Sequence, residues 1–542
     1  MKINMESKGI LYPLKTHNYY LHQIETANWM KIQETQHPNG FKGGIISLTM
    51  GMGKTLLILG YSLKFKGRTP TLIIVPKSIL FEWKTNGINK FFSDSKVLYF
   101  HKDYNKKIDK LTVEDILEYD LVITTYSMCS RTCSLGKYHE SRRRIPDKGK
   151  DLLYYLKWNR IVLDESHKYC NVKTKTFKYL MALKAKYKWC VTGTPIINYD
   201  TDIWGQLQLC GYKDITSVNE WKHEGIRLFT TGLKYSIYSL NYTDVNIRLP
   251  ELIEKDIVIT LNNNHKDLYD ILLGEVKQSY YNMVQLKESY SCVFAMFTRL
   301  RQSAIAPYII SCEAKRSTKL INTFNLDKEK HGINTNKMTA TIDILKNFYL
   351  GEKINAPTSL YNLCYRKIQQ DPKLQLPDLE IFHPQRSKII IFSMFTSALD
   401  LVGETIKKHI PYFKYVQIDG DTRNRENVLT QFKFDPKINC LLTTYKVAAE
   451  GLNLTEANSC ILLEPWWNNA TLKQAKARLW RIGQTKPVTV YNLIAKDTIE
   501  EKIREICEKK DGMIESYLNG TRKNIQNCGL NKAVLHKIFR NA

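Results

Sequence analysis

Short runs of consecutive apolar residues punctuate the first half of the chain, each closed by a glycine, a proline or a polar pair. Gly44-Ile45-Ile46-Ser47-Leu48, Thr71-Leu72-Ile73-Ile74-Val75-Pro76, Leu121-Val122-Ile123-Thr124-Thr125-Tyr126, Arg160-Ile161-Val162-Leu163 and Trp189-Cys190-Val191 are of this kind. Continuous apolarity over so short a length fits strands buried on both faces rather than half-exposed ones. Helical stretches lie between them. Tyr20-Leu21-His22-Gln23 leads into Ile24, Ala27, Trp29 and Met30 at roughly helical spacing, Leu56-Leu57-Ile58-Leu59 follows the first strand, and Lys77-Ser78 opens a helix after the second. Strands alternating with helices predict a parallel, doubly wound sheet.

In such sheets ligands bind beyond the carboxyl ends of the strands, and the residues with chemistry to offer cluster there. Gly51-Met52-Gly53-Lys54-Thr55 joins the first strand to the next helix. Glycines at 51 and 53 let backbone N–H groups curl around phosphate oxygens, Lys54 can reach the β- and γ-phosphates, and the Thr55 hydroxyl can bind Mg²⁺. An ordinary strand-to-helix turn is the plain alternative. Asp164-Glu165-Ser166-His167 follows another buried strand, which predicts that the two motifs meet. Asp164 is assigned to Mg²⁺ and Glu165 to the attacking water, the division of labour that metal-assisted phosphoanhydride hydrolysis needs. Thr192-Gly193-Thr194-Pro195 closes a further strand, where small residues can approach His167 and pass on the state of the γ-phosphate. Gln23 has an amide that can both donate to and accept from an adenine edge, although a surface glutamine would look the same in sequence. Far downstream, Gln474, Arg478 and Arg481 lie four and three residues apart, a spacing that predicts one helix face aimed at an anion.

Composition narrows the partner. Lys and Arg number 80 against 53 Asp and Glu, a formal charge of +27 over 542 residues, so a polyanion is the expected ligand and nucleic acid is favoured over membrane. No apolar run approaches the roughly 20 residues of a spanning helix, and Met1-Lys2-Ile3-Asn4 lacks a signal peptide's apolar core, which together predict an intracellular protein. The 12 cysteines are scattered, with no Cys-x-x-Cys pair, so reduced thiols are expected and zinc is not. The segment 137–150, with Arg142-Arg143-Arg144, reads as a basic loop, solvated or in contact with phosphate.

Taken together and in this order, the blocks resemble superfamily 2 helicases, specifically the Swi/Snf-type DNA-translocating ATPases. The second half carries the rest of the resemblance: Ser387 to Thr396, Ile418-Asp419-Gly420-Asp421-Thr422, Cys440-Leu441-Leu442-Thr443-Thr444 to Gly451-Leu452-Asn453-Leu454, Pro465-Trp466-Trp467-Asn468, and Gln474 to Gln484. The Trp-Trp-Asn block and Pro487-Val488-Thr489-Val490-Tyr491 look nearest to the DNA-repair translocases of the group. The resemblance implies a P-loop NTPase of α/β class with two recA-like parallel-sheet lobes and a helical protrusion between them. Lobe 1, with the ATP-binding motifs, is expected over 1–260, the protrusion over 261–345, a linker or insertion over 346–386, lobe 2 over 387–505 and a basic tail with one short helix, Leu530 to Phe539, over 506–542. It also implies that Arg478 and Arg481 act on the γ-phosphate, that Met52, Gly451 and Gln474 join the nucleotide contacts, and that Lys77, Thr124, Thr125, Thr396, Thr443 and Thr444 touch nucleic acid. Two departures stand out: Leu48-Thr49 where the family has Asp-Glu, and Val447-Ala448-Ala449 where it has Ala-Gly-Gly, the latter removing backbone freedom that glycine supplies.

The expected function is therefore an ATP-driven, Mg²⁺-dependent motor on nucleic acid, duplex DNA preferred. It would remodel or clear protein–DNA complexes in the nucleus or another DNA-containing compartment, in chromatin remodelling, repair or transcription. A strand-separating DNA or RNA helicase is the first alternative, and a basic DNA-binding scaffold with a decayed ATPase the second. Cys292, Cys312 and Cys364 lack the paired spacing of the zinc-bound ubiquitin-ligase insert that many repair translocases carry, so no ligase activity is expected.

Overall fold

The computed structural model describes residues 9–14, 18–38, 40–132, 152–197, 199–245, 247–286, 291–313, 326–354, 387–448 and 452–518. The chain forms two compact units, one built from residues up to Arg248 and the other beginning at Leu249. The first holds seven strands: β1 (Gly43–Leu48), β2 (Thr71–Val75), β3 (Val97–Phe100), β4 (Leu121–Thr125), β5 (Lys157–Asp164), β6 (Lys184–Thr192) and β7 (Ile237–Leu240). They pair in the order β3-β4-β2-β5-β6-β1-β7, and every pairing is parallel. All residues of β1, β2 and β4 are buried, as the continuous apolar runs require. Alternate side chains feed two separate cores. Ile45, Leu72, Ile74, Ile161 and Leu163 enter one, while Ile46, Leu48, Ile73, Val75 and Val162 enter the other. The helices that matter to the site are α1 (Leu21–Thr35), α2 (Lys54–Lys64) and α3 (Thr201–Cys210).

The second unit contains β8 (Leu252–Ile259), α4 (Asn263–Leu286), α5 (Ser291–Ile305), α6 (Asn336–Ile354), β9 (Lys388–Ser393), α7 (Thr396–His409), β10 (Lys414–Ile418), β11 (Ile438–Thr444), β12 (Ala457–Leu462), α8 (Asn469–Lys476), β13 (Val488–Ala495) and, through Lys509, α9 (Ile499–Leu518). Its six strands run in the order β10-β11-β9-β12-β13-β8, again all parallel. Two parallel sheets dressed with helices are the architecture expected.

The boundaries fall differently. β8, expected inside 1–260 with the first lobe, pairs along its whole length with β13, from Leu252 opposite Val488 to Ile259 opposite Ala495. It is an edge strand carrying Glu254, Lys255 and Asp256 on a largely exposed surface, so its pattern does not advertise a sheet. The helices of 261–345 do not stand apart. α4 and α5 pack Tyr269, Val276 and Leu300 against Ile499 and Ile503 of α9, while α6 packs Met338, Ile342 and Leu345 with Ile389, Leu399 and Val402. α6 continues to Ile354, into the expected linker, and α9 to Leu518, into the expected tail. The rest of the linker, the basic loop at 137–150 and the helix expected over 530–539 lie outside the described residues. Among the described residues no helix is long and apolar enough to cross a membrane.

Candidate nucleotide-binding site

The loop after β1 is built around two left-handed glycines. Gly51 (φ 87°) and Gly53 (φ 76°) occupy the region that L side chains avoid, and Gly53 caps the N-terminus of α2. The cap leaves the first N–H groups of that helix facing outward with its positive dipole end, ready for an anion. Lys54 Nζ donates to the carbonyls of Leu48 (2.8 Å) and Thr49 (3.4 Å), so it folds back over the loop at the position phosphates would take. These are backbone acceptors, which is why Leu48-Thr49 can replace an Asp-Glu pair without releasing the lysine. α1 reaches the same loop. Gln23 accepts from the Tyr20 N–H (2.9 Å) and donates to the Gly53 carbonyl (3.1 Å), while His22 Nε2 lies 2.9 Å from the Met52 carbonyl. Each end of the Gln23 amide keeps one donor or acceptor site for a base edge.

β6 lies between β5 and β1, and the register sets Thr192 opposite Ser47 and Asp164 opposite Val191, so the three strand ends are level. That places the phosphate loop, the acidic pair and Thr192 along one rim, as expected. Asp164 is buried; its Oδ2 accepts the Trp83 indole N–H (3.0 Å) and its Oδ1 the Glu165 N–H (3.0 Å). Burial first, and the neighbouring Glu165 charge second, push the Asp164 carboxyl up to about 7 against the pull of Lys54. Glu165 has a left-handed backbone (φ 51°, ψ 41°), a strained setting for a side chain, costing about 1–3 kcal/mol, of the kind found where a reactive group must be aimed. His167 is neutral at pH 7, because burial pulls it down to about 4, so its 3.4 Å approach to Glu165 Oε2 is not an ion pair there. Its Nδ1 lies 2.6 Å from Thr192 Oγ1, which also accepts the Thr194 N–H (3.0 Å). A Cβ at Gly193 would stand 3.0 Å from Met50 Cγ and 3.4 Å from Lys54 Nζ, so the glycine keeps this path open. Thr55 and Asp164 supply hard oxygen donors, the set Mg²⁺ takes when phosphates complete its shell.

In the second unit the helix expected to carry all of Gln474, Arg478 and Arg481 stops early. α8 ends at Lys476, and the N–H groups of Arg478 and Leu479 turn back to the carbonyls of Ala475 (3.1 Å) and Lys476 (3.0 Å). The Trp480 indole then donates to the Pro250 carbonyl (2.8 Å), which holds this turn away from a helical path. Gln474 stays on the helix, buried; Arg478 and Arg481 project from the turns. Arg478 Nε donates to the Ala448 carbonyl (2.9 Å), whereas the buried Nε–H of Arg481 meets no hydrogen-bond partner among the described residues. Ala448 closes a short helix, Tyr445–Ala448, and needs no glycine there; Ala449 and Gly451 lie outside the described residues. Beneath this region Arg301 is buried against the rings of Trp466 (4.5 Å), Trp467 (4.9 Å) and Phe395 (5.2 Å) and donates from Nη2 to the Pro465 carbonyl (3.2 Å). Nearby, Glu464 accepts the Met394 N–H (2.6 Å) and the Ser393 hydroxyl (3.0 Å).

An SNF2-related domain model matches residues 22–374, and a helicase conserved C-terminal domain model matches 373–483. The chain belongs to the SNF2-related family. It is 43% identical over 557 residues to "Putative helicase 172L" of Invertebrate iridescent virus 6, covering 94% of this chain and 92% of that protein. The DNA repair protein RAD5A of Arabidopsis thaliana is 25% identical over 82% of this chain and 50% of its own length. The Sulfolobus solfataricus SWI2/SNF2 ATPase core in complex with dsDNA matches at 22% identity and a TM-score of 0.38, over 95% of this chain and 98% of that one. As an SNF2-related, helicase-type protein, the chain is an ATP-hydrolysing, DNA-dependent enzyme.

For an SNF2-related protein, the residues expected to touch nucleic acid are unevenly placed. Lys77 is exposed and pairs with Asp103 at 3.2 Å, and Thr396 is exposed at the start of α7. Thr124, Thr125, Thr443 and Thr444 are buried at the ends of β4 and β11; Thr124 donates to the Phe100 carbonyl (2.8 Å), and Thr125 and Thr444 accept the N–H of Met128 and Val447 (3.4 Å each). The side chains of Thr125 and Thr444 shape the turns after their strands, Thr124 bonds to the neighbouring strand, and the Thr443 hydroxyl meets no hydrogen-bond partner among the described residues. Residues that sequence reasoning passed over include Trp83 on Asp164, His22 on the loop, and Tyr126, whose hydroxyl donates to the Asp164 carbonyl at 2.6 Å. Arg160 carried a signal that was not used: a cation inside an otherwise apolar buried strand demands a buried carboxylate, though not which one.

Proposed function

We propose that this SNF2-related ATPase is a motor that moves along duplex DNA without separating its strands, and so remodels or clears protein–DNA complexes. The observation that carries the reading is the convergence of Lys54, Asp164, Glu165, His167 and Thr192 at level strand ends within such a chain. Lys54 and the α2 N-terminus hold the phosphates; Thr55 and Asp164 are the residues to hold Mg²⁺, which when bound neutralises charge developing on the phosphate oxygens. Glu165 orients and deprotonates the attacking water. Arg481, whose guanidinium retains an unspent N–H, stabilises the γ-phosphate in the transition state, and Arg478 supports it. Thr192, hydrogen-bonded to both His167 and the Thr194 N–H, passes the change on. Relatives named for DNA repair, and the surplus of positive charge, favour DNA in its cellular compartment as the track.

The test pairs two measurements. Displacement of a third strand from a triplex reports travel along a duplex, and release of an annealed strand reports unwinding. ATP-dependent triplex displacement without strand release is expected, with duplex DNA raising ATP turnover above the level seen with RNA or no nucleic acid. Efficient strand release, or stimulation by RNA alone, would instead make the protein a strand-separating helicase. DNA binding without turnover on any nucleic acid would make it a scaffold.

A further inference from the structure

Glu34 sits near the end of α1, away from the nucleotide loop, and is 5% exposed. Arg160 Nε and Nη2 grip its two carboxylate oxygens at 2.7 Å each, the fork-to-fork geometry that fixes both partners in orientation. The Trp189 indole donates to Oε1 (2.8 Å) and the Tyr61 hydroxyl to Oε2 (3.1 Å), and the Arg160 guanidinium also lies over the Tyr61 ring at 4.9 Å. Each partner belongs to an element that ends in the candidate site. α1 carries Gln23, α2 carries Lys54 and Thr55 ahead of Tyr61, β5 leads from Arg160 to Asp164, and β6 leads from Trp189 to Thr192.

We infer that Glu34 is a positioning residue for nucleotide recognition: one buried carboxylate sets α1, and with it Gln23, in register with the three elements that hold the phosphates and the acidic pair. The inference rests on the ATP reading above. A buried ion pair is weak evidence for stability, since apolar side chains of equal volume often do as well, but it is well suited to fixing one arrangement among several. α1 needs such a device because, among the described residues, the hydrogen bonds that join its base-reading end to the loop are Gln23–Gly53 and His22–Met52.

The test is nucleotide preference, measured by binding of non-hydrolysable ATP and GTP analogues well below the melting temperature. The parent protein comes first: if it binds neither analogue, or shows no preference for ATP, the base-reading role of Gln23 fails and the inference fails with it. Glu34→Gln/Arg160→Met then removes both charges, while the amide can still accept from Trp189 and donate to Tyr61. Its ATP-over-GTP ratio is expected to fall about tenfold, the size of one lost base-edge hydrogen bond, with its melting temperature little changed. A folded double variant that keeps the parental ratio overturns the inference. Should that variant fail to fold, Tyr61→Phe carries the same test with a fall of about two- to threefold expected, roughly half the lost energy, and an unchanged ratio counts against it equally. A loss of ATP and GTP affinity in equal proportion also overturns it, because a merely structural role would act on the shared phosphate site alone.

Discussion

The two units hold their charged groups in different states. In the first, most of the side chains around the phosphate loop are engaged, Lys54 on two carbonyls, Asp164 on Trp83 and the Glu165 N–H, His167 on Thr192, Gln23 on Gly53, while the Thr194 hydroxyl is buried without a hydrogen-bond partner among the described residues. In the second, Arg478 is tied to Ala448 but the Nε–H of Arg481 is buried without a partner. A buried donor left unmade costs about 1–3 kcal/mol. The first unit is preorganised to hold substrate. The second leaves a buried donor unmade.

The largest effects belong to the preorganised unit and split it internally. Lys54→Ala and Glu165→Gln should both abolish ATP turnover, yet Lys54→Ala should weaken ATP binding far more, because the proposed mechanism has Lys54 bind phosphate and Glu165 act on water. Calorimetric titration with a non-hydrolysable analogue separates them. Equal losses of affinity would contradict this division of roles.

Arg481→Ala probes the unmade donor. An arginine supplied to the γ-phosphate is worth roughly 10³ or more in rate, so turnover should drop by about that factor while ATP and DNA affinity hold. Single-turnover kinetics with saturating ATP gives the number. A variant hydrolysing at near the parental rate would mean the unpaired N–H serves something other than catalysis.

The same contrast explains what was legible in the sequence. Buried parallel strands write themselves as continuous apolar runs, so β1, β2, β4 and β5 and the motifs at their ends were readable, as was their meeting along one rim. β8 was missed as a member of the second sheet because an edge strand with Glu254, Lys255 and Asp256 carries no such run. Helical spacing put Arg478 and Arg481 on one helix, but spacing cannot see Trp480 turning the chain by bonding to Pro250, a partner far away in sequence. The Glu34 hub was hidden for the same reason: its three partners come from three other elements and meet only in the fold.

The smallest expected effect tests whether the second unit has any wiring comparable to the first. Burial raises the Glu464 carboxyl to about 7, with Arg301 nearby pulling it down. A carboxyl raised on folding binds a proton more tightly in the native state, so its contribution to stability fades as pH climbs from the ordinary glutamate range to about 7. At pH 5.5 Glu464 is therefore neutral in the folded protein and gives Arg301 no charge to stabilise, leaving it the weaker pull of Glu500; at pH 8 Glu464 is ionised and Arg301 matters more. Arg301→Met, similar in volume and able to keep contact with Trp466 and Trp467, should raise the Glu464 carboxyl further. Its cost should thus be greater at pH 8 than at pH 5.5 by about 1 kcal/mol, the worth of a shift of roughly one pKa unit. Urea unfolding of parent and variant at the two pH values gives this difference of differences, in which the other carboxylates cancel. The same cost at both would show that Arg301 serves the aromatic cluster alone, leaving the first unit as the better-wired half.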